Sequence, residues 1–429
     1  MKVRILLAVC AALIVITMVA CGGTSSSSSM TSTPSSGPAN GAASPGGSSS
    51  GGSGGSSSNS GGSAGTGSGS AGSGSGSASS GSGGSNSQSA VAYAYVGTTN
   101  QSTAGIYGFS ISTDGSENAV PGSPTSGPSS YVLTNSAFVF GTDGGNIASY
   151  ARASDGSLQK SSVTYAVLSN GSEPWAVQAM SLDHTGQTLY AMENAGADDL
   201  YYFFFSIGSD GKITNIGKIG PNVDYSSPLV FSPDNNFAYG EGCFHANWDI
   251  TGFHRNSDGT LTPISANAAV AAYAGNAAQM YCPQGEAISQ MGYMVVADTA
   301  LNTNTSGVGS YKINADGSLS LVPGSTLKTS LTAVHGMNFD RSGLYLALAG
   351  NGGIQMYQLM SGGTLTPLGG VQQPGPNYTA VQWDADNHLY ALSNAGLHVF
   401  TNSQGVLTAA PGSPHPAGAA GSLAVLPTH

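Results

Sequence analysis

The stretch Gly309-Ser310-Tyr311-Lys312-Ile313-Asn314-Ala315-Asp316-Gly317-Ser318-Leu319 reads as a β-strand, a tight polar turn and the start of a second strand. Asp followed by Gly suits such a turn because both positions accept positive φ, which matches the twist of the strands they join. The same signal recurs at Asp114-Gly115, Asp155-Gly156, Asp210-Gly211, Asp258-Gly259 and Gly362-Gly363, and in weakened form at Gln404-Gly405. The turns fall roughly 40 to 58 residues apart, each within a run of short strands, which is the mark of a propeller built from repeated four-stranded blades.

Each unit reads as two strands around a polar turn, a variable loop, a third strand, the Asp-Gly turn, a fourth strand and a connector. Phe231-Ser232-Pro233-Asp234-Asn235 before Phe237-Ala238-Tyr239, and Phe339-Asp340-Arg341-Ser342-Gly343 before Leu344-Tyr345-Leu346, show the first pair of strands. At the start, Val91-Ala92-Tyr93-Ala94-Tyr95-Val96 matches a second strand with no first strand before it. Near the end, Ser422-Leu423-Ala424-Val425-Leu426-Pro427 matches a first strand with nothing after it. The expected fold is therefore all-β, a seven-bladed β-propeller of four-stranded antiparallel blades, closed by pairing of the N- and C-terminal strands so that no edge stays open.

Only residues 90–429 have the composition of a packed domain. Residues 1–21 read as a lipoprotein signal peptide: Lys2 and Arg4, then the apolar run Ile5 to Thr17, then Met18-Val19-Ala20-Cys21, with Cys21 as the lipidated residue. Residues 22–89 are almost wholly Ser, Gly, Ala and Thr, a composition that cannot bury enough surface to offset chain entropy. The expectation is a flexible linker on the order of 45 Å from end to end, carrying an exported domain held at the cell envelope by its lipid alone.

Charge narrows the partners. Ten basic residues stand against 21 acidic ones, a net charge of −11, with no cluster of Lys and Arg to displace counterions, so nucleic acid is set aside. No phosphate-binding loop, Gly-x-Ser-x-Gly elbow or His-x-x-x-His pair is present, and no cofactor is expected.

The Phe-Ser-Pro-Asp block at 231–234, the Tyr-Ala-Tyr-Val start at 93–96 and the Asp-Gly-Ser/Thr-Leu turns at 155–158, 258–261 and 316–319 together resemble the lactonase-type seven-bladed propellers. That family includes the bacterial propeller form of 6-phosphogluconolactonase and the fungal carboxymuconate cyclase. The resemblance covers 90–429 and implies a lactonase, a carboxylic ester hydrolase. It fixes the scaffold more firmly than the chemistry, since one scaffold hosts many functions.

In such a blade the Asp-Gly turns and the turns between first and second strands share one face, while the two-to-three loops and blade connectors share the other. The second face is the expected functional surface. His335, at the start of a first strand near the channel mouth and in register with Gln178, is read either as an acid or base on a lactone carbonyl, with Glu173 or Glu286 as its partner, or as a channel histidine bonded to backbone. Trp175 and Tyr378 in connectors, and Glu241, His245 and Trp248 in a two-to-three loop, are candidate substrate contacts alongside Gln178. Glu193, Asp198, Asp199, Glu241, Asp249 and Asp298 have no calcium-loop spacing and read as surface acids rather than metal ligands. His184 and His388 read as polar turn residues.

Cys243 and Cys282 fall on the same face and, with the leader cysteines removed, are the remaining pair. Export favours a disulfide over two separate buried thiols. A phosphorylated sugar lactone would demand Arg or several Lys. Arg152, Lys160, Lys212, Lys218, Arg255, Lys312 and Arg341 map to outer strands or the turn face, leaving Lys328. The ligand expected is a neutral sugar lactone, hydrolysed by a monomer; the other reading is a noncatalytic surface module that holds a glycan, peptide or partner protein.

Overall fold

Asp316 organises its turn as its chemistry requires. Its Oδ1 accepts from the Ser318 backbone N–H at 3.0 Å and from the Ser318 hydroxyl at 2.6 Å, and Gly317 N–H donates to the Asn314 carbonyl at 2.9 Å with φ at +80°. The neighbouring blade uses the same turn. The Tyr239 hydroxyl donates to the Gly317 carbonyl at 2.8 Å, as Tyr95 does to Gly156 at 2.9 Å and Tyr190 to Gly259 at 2.7 Å. The recurring glycine is thus both a turn residue and the socket for a tyrosine from the preceding blade. A Cβ at Gly317 would meet Phe237 Cδ1 at 2.5 Å. Gly317→Ala is expected to cost about 1–3 kcal/mol from backbone strain alone, measured by urea unfolding.

The computed structural model describes residues 89–98, 105–143, 145–165, 176–194, 200–220, 227–243, 249–264, 268–269, 281–300, 303, 305–418 and 420–427. The segment 1–21 expected to be a signal peptide, with Cys21, residues 22–88 of the expected linker, and Glu173, Trp175, Asp198, Asp199, His245 and Trp248 lie outside them. The described residues form seven antiparallel sheets. Blade 1 combines the inner strand Ala420–Pro427 with Ala92–Thr98, Gly105–Ile111 and Glu117–Ala119. Blade 2 is Val132–Thr134, Phe138–Asp143, Asn146–Arg152 and Leu158–Tyr165; blade 3 is Ala176–Leu182, Thr188–Asn194, Leu200–Ile207 and Ile213–Ile219. Blade 4 is Val230–Phe231, Phe237–Glu241, Asp249–Arg255 and Leu261–Pro263; blade 5 is Tyr281–Ile288, Tyr293–Ala300, Ser306–Ile313 and Leu319–Leu321. Blade 6 is Val334–Phe339, Tyr345–Gly350, Gly353–Leu359 and Leu365–Pro367; blade 7 is Tyr378–Trp383, His388–Ser393, Gly396–Ser403 and Val406–Ala409. Blades 1, 4 and 5 each add a two-residue strand, at Thr125–Ser126, Ala268–Ala269 and Leu327–Lys328.

Closure comes from Ala92–Thr98 pairing with Ala420–Pro427, from Ala92 opposite Pro427 to Thr98 opposite Ala420. First strands of neighbouring blades lie against one another around the ring, which makes them the wall of the central channel. Apolar side chains fill the seams between blades, for example Phe203, Phe205, Met180 and Phe140 between blades 2 and 3, and Leu346, Leu348, Val308 and Tyr357 between blades 5 and 6. The seam between blades 4 and 5 holds a smaller cluster among the described residues: Phe237, Tyr239, Ile250, Met294, Val296 and Tyr311.

Candidate functional site

Five inner strands carry a β-bulge at the same place, near the end that faces the two-to-three loops. The skipped residues are Gln178, Gln284, His335, Thr379 and Gly421. A bulge leaves one residue out of the ladder and re-aims its side chain, so these positions ring the channel mouth. Gln178 and His335 are equivalent members of this ring, with Gln178 exposed and His335 half-buried. His335 Nε2 lies 3.0 Å from Asn351 Oδ1, in the hairpin turn of its own blade. With that oxygen as acceptor, Nε2 carries the proton and Nδ1 is the lone-pair nitrogen.

Two residues beyond each bulge the strand turns an apolar side chain into a seam: Leu423 in blade 1, Met180 in blade 3, Met337 in blade 6 and Val381 in blade 7, opposite Val96, Ala191, Leu348 and Ala391. Val132 and Leu229 occupy the place in blades 2 and 4. Blade 5 puts Glu286 there, opposite Val296, and buries it to 8% exposure. Burial, and then the nearby Glu241, push the Glu286 carboxyl well above the usual range. Ser227 donates to Glu286 Oε1 at 3.0 Å, while Oε2 has no hydrogen-bond partner among the described residues.

Glu241 closes the pair from blade 4. It is the last residue of its strand, 6% exposed, and its backbone N–H donates to the Ser227 hydroxyl at 2.9 Å. Burial raises its carboxyl to about 8 against the lowering effect of the Gly285 N–H, and Asp298 adds to the rise. Asp298 is also raised to about 8 by burial, partly offset by the Gly307 N–H.

Several expectations are corrected by these placements. Glu193, Glu241 and Asp298 are buried strand residues, not surface loop acids, because the second strands run further toward that face than their sequence suggests. Tyr378 is core rather than ligand surface: at 2% exposure its ring sits edge-on to His398 and Phe400 in the seam of blades 6 and 7. His388 is a buried residue, 2% exposed and paired with Asp384, not a solvated turn residue. Cys282 is the second residue of the inner strand of blade 5 rather than part of a connector, and is joined by a disulfide to Cys243, Cα to Cα 5.3 Å.

Across the seven inner strands, Glu286 and His335 are the sole Asp, Glu, His, Lys or Arg residues among those described, and they stand on adjacent blades. The partners recorded for them differ, Ser227 for Glu286 and Asn351 for His335. The sequence signal for Glu286 was the one polar residue at a repeating apolar position, visible only once the bulges align the strands. No group of three or more His, Cys, Asp or Glu among the described residues is placed to hold a metal ion.

No protein-family model and no curated protein matches the chain. Solved structures share its fold. A candidate 6-phosphogluconolactonase from Bacteroides fragilis superposes with a TM-score of 0.58 at 16% identity, covering 80% of this chain and 99% of its own. Another, from Bacteroides uniformis, gives 0.61 at 17% identity, covering 79% of this chain and 100% of its own.

Proposed function

We propose that the protein hydrolyses a neutral sugar lactone at the channel mouth, with His335 as base and Glu286 as acid. The observation that carries the reading is the placing of the two ionisable residues of the inner strands on adjacent blades, the His335 imidazole in the ring of bulges at the channel mouth and the Glu286 carboxyl buried in the seam beside it, with no Asp, Lys or Arg and no other Glu on those strands among the described residues. The shared fold with two candidate 6-phosphogluconolactonases supports a lactone as the substrate class. The absence of Lys and Arg from the inner strands among the described residues favours a lactone without phosphate.

His335 Nδ1 takes a proton from water as the water oxygen attacks the lactone carbonyl. The tetrahedral intermediate then expels the ring oxygen, which takes a proton from the neutral Glu286 carboxyl, and the product is a hydroxy acid. A carboxyl kept neutral by burial is suited to the donor role at neutral pH. Export and a lipid anchor at Cys21 belong to the same proposal and are supported by the leader sequence.

Lactone disappearance is to be followed at mildly acidic pH, where spontaneous opening is slow, over neutral aldonolactones and their 6-phospho forms. The expected result is acceleration with neutral lactones, reduced about 10²–10⁴-fold by His335→Ala. Lactone opening no faster than in buffer across the whole panel would overturn the proposal.

A further inference from the structure

The seam between blades 4 and 5 carries two carboxyls, one of them, Glu286, at a place where the other blades put an apolar side chain, and a covalent bond crosses it. Glu241 lies two residues before Cys243 on one side, and Glu286 four residues after Cys282 on the other. Ser227 bridges the same gap, donating to Glu286 Oε1 and accepting from the Glu241 N–H. The pair is thus held at two places, by a hydroxyl and by a disulfide.

Such a pair does not hold itself together. Two carboxylates in a low-dielectric seam repel, and each loses its hydration on burial, so the closed arrangement is kept only with a proton retained and the strands restrained. Among the described residues, the titratable groups acting on the pair are the two carboxyls themselves and Asp298, from the second strand of blade 5. All three are acids. The buried apolar cluster of this seam, Phe237, Tyr239, Ile250, Met294, Val296 and Tyr311 among the described residues, includes neither carboxyl.

We propose that the Cys243–Cys282 disulfide is a positioning element of the channel site: it holds blade 4 to blade 5 so that Glu241 stays against Glu286, and Glu286 keeps the proton it delivers to the departing ring oxygen. The disulfide touches no reacting atom. It acts through the carboxyl pair, and the inference rests on the hydrolase reading only for its kinetic consequence.

The experiment uses the full chain with Cys243→Ala and Cys282→Ala together. Carboxyl ¹³C NMR follows the titration of the two glutamates, each signal assigned by its loss in Glu241→Gln or Glu286→Gln. In the unaltered protein Glu241 is expected to titrate near 8. In the double variant both glutamates are expected to move toward the ordinary value of about 4.3, by at least about one pH unit. Lactone kcat/KM falls about 10–100-fold, chiefly in kcat, as expected for a small displacement of a reacting group.

Circular dichroism establishes whether the variant folds. If it does not, the intact folded protein is reduced in the NMR tube with a water-soluble phosphine, which becomes the phosphine oxide as water supplies its oxygen and the protons of the two thiols. A merely structural disulfide would lower thermal stability and leave the carboxyl titration where it was, and that result overturns the proposal. The outcomes separate from those of the hydrolase reading. Titrations that collapse in a protein with no lactone turnover sink the hydrolase alone; turnover that persists with unmoved titrations sinks the positioning role alone.

Discussion

Glu286→Met is expected to abolish lactone turnover and to make the folded protein more stable. Met already fills the equivalent place in blades 3 and 6, as Met180 and Met337, and both are buried against their seams. The exchange keeps side-chain volume while removing a buried carboxyl whose Oε2 has no hydrogen-bond partner among the described residues. Relief of that desolvation is worth about 1–3 kcal/mol, partly offset by the Ser227 hydroxyl losing its acceptor, about 1 kcal/mol. Removal of the proton donor costs about 10²–10⁴ in rate. Urea unfolding beside lactone kinetics checks both halves. A variant that is less stable would mean that Glu286 belongs to the packing of the seam; one that is more stable and fully active would remove it from the chemistry.

Asp384→Ala is expected to destabilise the propeller by about 3–5 kcal/mol, the cost of breaking a buried charged pair by deleting one partner. Asp384 Oδ2 accepts from His388 Nδ1 at 2.8 Å and from the Tyr390 hydroxyl at 2.7 Å, and its Oδ1 accepts from the backbone N–H groups of Asp386 and His388 at 2.8 and 2.9 Å. The two side chains are 1% and 3% exposed. Burial by itself would raise the Asp384 carboxyl, but its bonds to His388 and Tyr390 outweigh that and hold it below its usual value. Burial likewise opposes the charged form of His388, and Asp384 overcomes it, so the imidazole ends above its usual value.

The pH dependence follows from those two directions. The Asp384 contribution is complete above its unfolded value of 3.8 and is lost as pH falls through the lower folded value. The His388 contribution is complete below 6.5 and is lost as pH rises through the higher folded value. Both are complete between 3.8 and 6.5, where the variant should differ most from the unaltered protein. Stability measured across pH by urea unfolding checks this. A constant difference across that range and above it would show that Asp384 acts as a turn cap and not as the partner of a charged histidine.

The fold was legible because one blade repeats its own grammar: the strand periods, the Asp-Gly turns, and a lone second strand at Val91 that lacked the partner found at Ser422. What remained hidden depends on contacts between blades. His388 reads as a turn residue within its own blade, yet the Gly115 turn of blade 1 lies against it, with a Cβ there falling 3.5 Å from His388 Cδ2. Tyr378 reads as loop because its connector is rich in Pro and Gly, while the strand already begins at that residue. The meeting of Glu241 and Glu286 needed both the bulge register and the neighbouring blade, and no local pattern in either segment announces it. The scarcity of Lys and Arg on the channel wall was legible, because strand order alone assigns those residues elsewhere.

The closing blade also imposes an order on synthesis. Strand Ala92–Thr98 leaves the ribosome early, and its partner Ala420–Pro427 emerges only after the other six blades. At ~5–20 residues per second that delay is on the order of tens of seconds. Throughout it a seven-residue strand, buried along its whole length in the finished ring, presents an unpaired edge to anything nearby. The nascent chain therefore depends on whatever shields that edge until its last strand arrives, a requirement that a propeller closed within one contiguous blade would not have.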